Sequence, residues 1–456
     1  MIVSIETPVF KGRRLRRLID SVLNQSSPHW TFSLLWDGGD AESRRILEEL
    51  DRERHPNVTV YFAENRGIAR ARRFLSEHTV GDFILPVDDD DVLPFHAIER
   101  FLIAAEQKPW ASIIRARRII IDDDGKVLQT PPWFPFEPRH YQQGMVTDLF
   151  NHTHPYLIRR SAYERTSGWE GFEDFRYAGE DCDIYVKLEE TGSIELLDET
   201  LYYYRVHNYR ASLVLTDAAA FEMWRRLADK TIKRIGLPLR RTSDRQPFVY
   251  ERLPRPPVGL TTVDFIVVRD ERSMQAEAER IAVSLRDAGV HAERVRIVSG
   301  SLADVNKALR GATQPMLCLL SNGVAIDRPA LEALLDHMKN EDADVGSPRV
   351  LDEDGRVAPT ELLSGLVLIR SEVIRAVGGL DEGFEELPAA VVDLGLKARQ
   401  RDFRIAYFDD LAPLTRRSAP AIPSLDVDRL RRKWATYPEL LAHVAAVEAT
   451  DVIAAR

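Results

Sequence analysis

The chain has 456 residues, 44% of them hydrophobic, which allows two to three domains with sizeable cores. A net charge of −10 and a pI near 5.7 argue against a general nucleic-acid binder, because phosphate backbones are gripped by clustered Lys and Arg.

From the amino terminus, Ile2 to Ile5 reads as a strand, Leu15, Leu18, Ile19, Val22 and Leu23 recur at helical spacing, and Phe32 to Leu35 reads as a second strand. The alternation continues through a helix around Ser43 to Leu50, a strand at Val58 to Phe62, a helix from Ile68 to Leu75 and a short buried strand at Phe83 to Val87. This order predicts a doubly wound α/β sheet. Asp122-Asp123-Asp124-Gly125-Lys126 reads as a hairpin turn between Ile119–Ile121 and Val127–Leu128, with no chemistry assigned to it. Between Gly236 and Gly259, prolines 238, 247, 254, 256 and 257 crowd together with basic residues, which predicts a linker over 236–261. A second α/β pattern follows from Val263 to about residue 420, and the tail, 421–456, reads as helical. The two cysteines, Cys182 and Cys318, are far apart and flanked by apolar residues. Neither a disulfide framework nor a thiolate metal site is expected, and a reducing compartment fits. No basic leader opens the chain and no run reaches the ~18 apolar residues of a membrane span, so a cytoplasmic location is expected, peripheral to the membrane's inner face at most.

The most telling stretch is Asp88-Asp89-Asp90-Asp91, at the carboxyl end of the Phe83 strand. Open α/β sheets bind ligands at that end. Four carboxylates so close together repel one another unless a cation intervenes, and hard oxygen ligands suit Mg²⁺ or Mn²⁺ holding a diphosphate. The bland alternative is a solvated acidic turn.

Several spaced motifs decide between these. They are Thr7-Pro8-Val9-Phe10, Ser21-Val22-Leu23-Asn24-Gln25, Trp36-Asp37-Gly38-Gly39, Asn65-Arg66-Gly67 leading to Ala71-Arg72, the aspartate run followed by Val92-Leu93-Pro94, Gly168-Trp169-Glu170, Glu180-Asp181-Cys182-Asp183, and Tyr204-Arg205-Val206-His207. In this order they resemble a family 2 glycosyltransferase with the GT-A nucleotide-sugar fold, over roughly residues 1 to 215. Lys11, where an Asn is usual, and Trp36, in place of a first Asp, depart from the pattern.

The resemblance implies roles. Thr7 and Asp37 would touch the nucleotide, Asp37 accepting from the base; the alternatives are a strand-end turn and a turn or N-cap residue. Arg72 would face phosphate or base, although Arg66, Arg70 and Arg73 lie close and a solvated basic face is the other reading. Asp88 and Asp89 belong with the nucleotide-sugar, Asp88 contacting ribose or a metal-bound water. Asp90 would bind Mn²⁺ or Mg²⁺, and Asp91 would cap a helix starting near Pro94. His207 would be a second metal ligand or a structural histidine, and Arg205 would steady the diphosphate or a loop. Asp181, beside Glu180, would be the general base of an inverting transfer, with Asp183 capping or bracing the helix. His152 and His154, placed on one face of a strand, and Trp133, Phe134 and Phe136 are expected to line an acceptor pocket or to pack.

The carboxyl-terminal half repeats the plan without its chemistry. Pro315 to Val324 aligns with Phe83 to Val92, placing Ser321-Asn322-Gly323 at the metal motif, and Val391 stands at the base position while Asp393 matches Asp183. The expected architecture is therefore two tandem Rossmann-like domains with mostly parallel mixed sheets: a catalytic GT-A domain over 1–235, the linker, a degenerate GT-A-like domain over 262–420, and the helical tail. The expected activity is inverting, metal-dependent transfer of a sugar from a nucleoside-diphosphate sugar to a glycan, lipid-linked or protein acceptor, with the second domain holding acceptor or pairing two copies of the chain. A sugar-phosphate nucleotidyltransferase lacks its Gly-rich, Arg-Lys signature after the first strand. A non-catalytic glycan-binding scaffold is disfavoured by the intact Asp88, Asp90, Glu180 and Asp181.

Overall fold

A computed structural model describes residues 1–131, 154–172, 179–207, 217–244, 248–269, 275–321, 324, 326–349, 365–408, 411 and 422–444. Trp133, Phe134, Phe136, His152, Asn322 and Gly323 lie outside the described residues. The chain divides into two compact units, with the boundary between Thr231 and Ile232.

The first unit opens with the predicted alternation: β1 (Val3–Val9), α1 (Leu15–Leu23), β2 (Trp30–Asp37), α2 (Ala41–Glu53), β3 (Val58–Ala63), α3 (Ile68–His78), β4 (Phe83–Pro86) and α4 (Ala97–Gln107). Leu15, Leu18, Ile19 and Val22, at helical spacing, are the buried face of α1, and Asp40 caps α2 by accepting from Ser43 N at 2.8 Å. There follow β5 (Ala111–Ile121), β6 (Val127–Gln129), β7 (Tyr156–Arg159), α5 (Arg160–Tyr163), α6 (Glu180–Glu189), β8 (Ser193–Arg205) and α7 (Asp217–Ile235). The sheet runs β3-β2-β1-β4-β7-β5-β6, with β8 also on β5. β1 pairs in parallel with both β2 and β4, so the strand order reverses between β1 and β4. The crevice at the carboxyl ends of these two strands receives Phe10 from one and the aspartate run from the other. Val3, Ile5, Leu34, Leu85 and Phe101 meet in one core beneath it.

Two corrections belong here. Asp91 does not cap a helix at Pro94: α4 begins at Ala97 with no side-chain cap, and Asp91 Oδ1 accepts instead from Arg205 N at 2.6 Å. His154 is not on a strand, since β7 begins two residues later.

The second unit contains a hairpin of β9 (Leu239–Arg241) and β10 (Tyr250–Arg252), then β11 (Val263–Arg269), α8 (Gln275–Asp287), β12 (Val295–Ser299), α9 (Leu302–Arg310), β13 (Met316–Leu320), α10 (Arg328–Asn340), β14 (Val345–Pro348), β15 (Leu366–Arg370), α11 (Ser371–Val377), α12 (Leu387–Gln400), β16 (Ile405–Phe408) and α13 (Ser424–Trp434). The segment expected as a linker thus holds a hairpin, and it is fastened to its unit: Arg252 reaches Asp344 at 3.1 Å and Arg255 reaches Asp342 at 3.1 Å. The sheet order β12-β11-β13-β15-β14-β16 repeats β2-β1-β4-β7-β5-β8. The sense matches at every step: parallel, parallel, antiparallel, antiparallel, parallel. Phe83 pairs with Arg159 as Met316 pairs with Arg370. The register is therefore one residue off the expected alignment, and Ser321 stands opposite Asp88. Among the described residues no helix is long and apolar enough to cross a membrane.

Because Phe32 is fully buried in the first core, Phe32→Ala should cost roughly 3–5 kcal/mol. The solvent-facing Phe95 should tolerate Phe95→Ser within about 0.5 kcal/mol. Urea midpoints of the two variants check the contrast.

Candidate active site

Two helices carry the site, and each starts on a glycine that its backbone requires. Gly67 precedes α3 at φ +82°, and Gly179 precedes α6 at φ +89°, a region that strains any residue with a Cβ. At Gly179 a Cβ would also lie 2.5 Å from Met223 Sδ. The start of α3 is held by Asp37, whose carboxylate accepts from Arg66 N at 2.8 Å and Gly67 N at 3.1 Å. Asp37 thus lies at the carboxyl end of β2 with both oxygens turned to the β3–α3 turn.

One turn into α3, Arg72 is 2% exposed. Its Nη2 lies 2.7 Å from Asp88 Oδ1 and its Nε 3.4 Å from Glu180 Oε1, and its guanidinium sits over the Trp169 ring at 5.4 Å. Burial opposes its charge, but Asp88 and Glu180 more than offset this and raise its pKa further. Exposed pairs such as Arg44–Glu48 are worth about 0–1 kcal/mol. A buried pair that loses one partner costs roughly 3–5 kcal/mol, so it is Arg72 that ties the aspartate run to α6. Arg72 Nη1, Glu180 Oε2 and Thr7 Oγ1 are buried with no hydrogen-bond partner among the described residues.

The four aspartates separate into different environments. Burial disfavours the Asp88 carboxylate, yet His154 and Arg72 hold its pKa below the usual value. Asp89 accepts from Phe10 N at 2.9 Å, and burial with the charge of Asp90 pushes it up to about 7. Asp90 Oδ2 is 2.6 Å from His207 Nε2, a bond that raises the imidazole's pKa. Asp91 is withdrawn from solvent and pushed well above the carboxylate range by burial and by Asp90. Arg205 locks the run in place: its Nε donates to Asp90 O at 2.8 Å and its Nη1 to Asp122 O at 2.7 Å and Asp123 O at 2.9 Å. The hairpin given no chemistry is thereby the anchor of the aspartate loop.

At the start of α6, Glu180 is buried, and burial together with Asp181 pushes it up to about 7. Asp181 is partly exposed. Its Oδ1 accepts from Cys182 N at 2.8 Å, and burial raises its pKa. Arg72 therefore links Thr7's sheet, Asp88 and Glu180 into one locale, and Asp90 with His207 forms a neighbouring pair. His154, expected at an acceptor pocket, stands instead behind Asp88, with Nε2 3.7 Å from its Oδ2 and 3.4 Å from Arg72 Nη2. Its ring stacks on Tyr156 and Tyr202, and burial lowers its pKa to about 4. Nothing in the spacing of His154 or Arg205 announces these long-range partners. Among the described residues no group of three or more His, Cys, Asp or Glu is arranged to hold a metal ion by itself.

Comparison with known proteins finds similar chains. Chondroitin synthase of Escherichia coli is 23% identical over 259 residues, 55% of this chain and 36% of that protein. Hyaluronan synthase of Pasteurella multocida is 25% identical over 214 residues, 46% of this chain and 21% of that protein. A putative teichuronic acid biosynthesis glycosyltransferase of Bacillus subtilis is 33% identical over 91 residues, 20% of this chain and 36% of that protein. The chain thus spans well under half the length of these relatives. S. aureus TarS 1–349 in complex with UDP-GlcNAc superposes with a TM-score of 0.39 at 16% identity, over 51% of this chain and 67% of that one. The family model described as glycosyl transferase family 2 matches residues 4–166, the stretch that supplies the crevice, Arg72 and the aspartate run.

Proposed function

We propose that the first unit is an inverting, metal-dependent glycosyltransferase that moves a sugar from a nucleoside-diphosphate sugar to an acceptor hydroxyl in polysaccharide or glycoconjugate synthesis. The observation that carries the reading is the Arg72 bridge, which brings the aspartate run at the sheet's switch point against the helix start bearing Asp181.

In this reading Thr7 and Asp37 meet the nucleoside at the ends of β1 and β2, and Asp88 and Asp89 stand under the ribose and diphosphate. Asp90 and His207 suit a divalent cation: a hard carboxylate oxygen and an imidazole nitrogen 2.6 Å apart supply two ligands, leaving positions for diphosphate oxygens. His207, whose proton is held by Asp90, would release it on ligation. Mn²⁺ or Mg²⁺ there would neutralise charge on the departing diphosphate. Asp181 takes the proton from the acceptor hydroxyl as that oxygen bonds to C1 and the C1–O bond to the nucleoside diphosphate breaks on the opposite face. Glu180, held by Arg72, shares the charge of the helix start. The second unit, with Ser321 where the first has Asp88 and Val391 where it has Asp181, has no carboxylate at those two positions; its role is binding of acceptor glycan or self-association. A cytoplasmic site of action fits a nucleotide-sugar donor.

Diphosphate and metal should bind together. UDP or GDP titrated calorimetrically should bind far more weakly without Mn²⁺ or in Asp90→Ala, and tight binding that ignores both EDTA and the substitution would refute the metal assignment.

Asp181→Asn keeps the shape and removes the proton acceptor, so transfer should fall by roughly 10²-fold with donor binding retained. Transfer that persists would reassign the base or place activity in the second unit. The base must be ionised, and burial raises its pKa. Wild-type kcat/KM should therefore decline on acidification from a pH above that of an ordinary aspartate, and recover as the pH rises.

A further inference from the structure

Asp183 lies two residues beyond the proposed base and is 1% exposed. Its Oδ1 is 2.9 Å from Lys230 Nζ on α7 and its Oδ2 2.5 Å from Lys187 Nζ one turn along α6. Lys187 Nζ also donates to Gly168 O and to Glu170 Oε2, each at 2.9 Å, and Lys230 Nζ donates to the same Glu170 oxygen at 2.6 Å. Two carboxylates and two ammonium groups close a ring that joins α6 to the turn before it and the helix after it. Burial works against both partners. It lowers the Lys187 ammonium, and it would raise Glu170, which the two lysines nonetheless hold down to about 2.

The second unit repeats three sides of this ring. Asp393 Oδ2 is 2.9 Å from Lys433 Nζ and 3.1 Å from Lys397 Nζ. Lys397 Nζ donates to Gly379 O at 2.8 Å, and Lys433 Nζ to Asp381 Oδ2 at 2.8 Å. Every member has its counterpart: an acid on the helix, a lysine four residues on, a glycine carbonyl two residues before the second acid, and a lysine from the next helix. Trp434 Nε1 adds a bond to Asp393 at 3.1 Å. By this match α13, expected as part of a tail, is the counterpart of α7. Val391 stands where the first unit has Asp181, so the ring persists where the base does not and its work is to seat a helix.

We infer that Asp183 is a positioning residue for sugar transfer, holding the first turn of α6 so that Asp181 faces the crevice without an ion pair among the described residues. The inference rests on the transferase reading above. The turn carries Glu180, Asp181 and Asp183 with no side-chain cap. Arg72 takes Glu180 on one side, the ring takes Asp183 on the other, and among the described residues Asp181 forms no ion pair. Loss of the ring leaves three acids on one free turn, and a displacement of about 1 Å at a reacting group can cost up to ~10²-fold in rate.

The test uses the full chain with Asp183→Asn, Lys230→Met and Asp393→Asn, reading amide hydrogen exchange along α6, donor KM and kcat. Lys230 is a third exposed, at 34%, so its variant keeps the fold measurable if Asp183→Asn does not. The first two variants should speed exchange at residues 180–183 and lower kcat by roughly 10-fold or more, while donor KM stays within about threefold. Lys230→Arg, which keeps the charge, should restore most of kcat. Asp393→Asn should lower the melting temperature and leave kcat unchanged. Unchanged exchange, unchanged kcat in both first-unit variants, or an equal loss of kcat in Asp393→Asn would overturn the inference. A wild-type chain that turns over no nucleotide-sugar would instead refute the transferase reading, and the exchange measurement alone would then judge the ring.

Discussion

Arg72, withdrawn from water on α3, can keep its charge only because Asp88 and Glu180 reach it from two other elements. Of the two carboxylates, the buried Glu180 is in turn tolerable in the interior with Arg72 beside it. A chain of dependence follows. Asp37 holds the turn that starts α3, α3 places Arg72, and Arg72 sets the distance between the aspartate run and the helix start that bears Asp181. The strands supply the crevice, but this buried cation supplies its internal registration.

The internal repeat separates architecture from chemistry within one chain. Both units have six strands in the same order and sense, a glycine-bearing turn before the corresponding helix, and a buried acid–lysine ring behind it. At two matching positions the second unit carries no charge: Ser321 and Val391 stand where the first has Asp88 and Asp181. What two copies share while these positions differ is what the fold needs, and Asp393 is the clearest case. Its retention agrees with the bracing role that the sequence gives Asp183, and the structure adds the lysines that do the bracing.

Much of this was legible in the sequence because it is local. The apolar spacing at Leu15 to Val22 and the short runs at Phe32, Val58 and Phe83 report periodicities that a single element imposes, and the elements formed where these runs stand. The order of motifs brought Arg72, the aspartates and Glu180-Asp181 into one reading. What escaped depends on partners far away in the chain. Asp91 looked like a cap because Pro94 follows it, yet Arg205, more than a hundred residues later, takes its carboxylate. The hairpin acids at 122–124 looked inert because their contribution is made through backbone carbonyls. His154 was read with a strand face when it stands behind Asp88. The proline-rich stretch lacked periodicity, but Arg252 and Arg255 both reach the buried Asp344 some ninety residues on. The register of β13 slipped by one because an apolar run carries no marker of its own phase.

Cys182 sits between Asp181 and Asp183, its side chain packed with Val186 and Leu227. Burial, and then the charges of Asp181 and Glu180, push its thiol well above the ordinary range, so at neutral pH it is neither thiolate nor exposed. An alkylating reagent can reach it only when the helix that presents the base lifts from its seat. The rate of its labelling therefore counts the openings of that helix, and the protein carries, next to its proposed base, a natural clock for the motion that would disarm it.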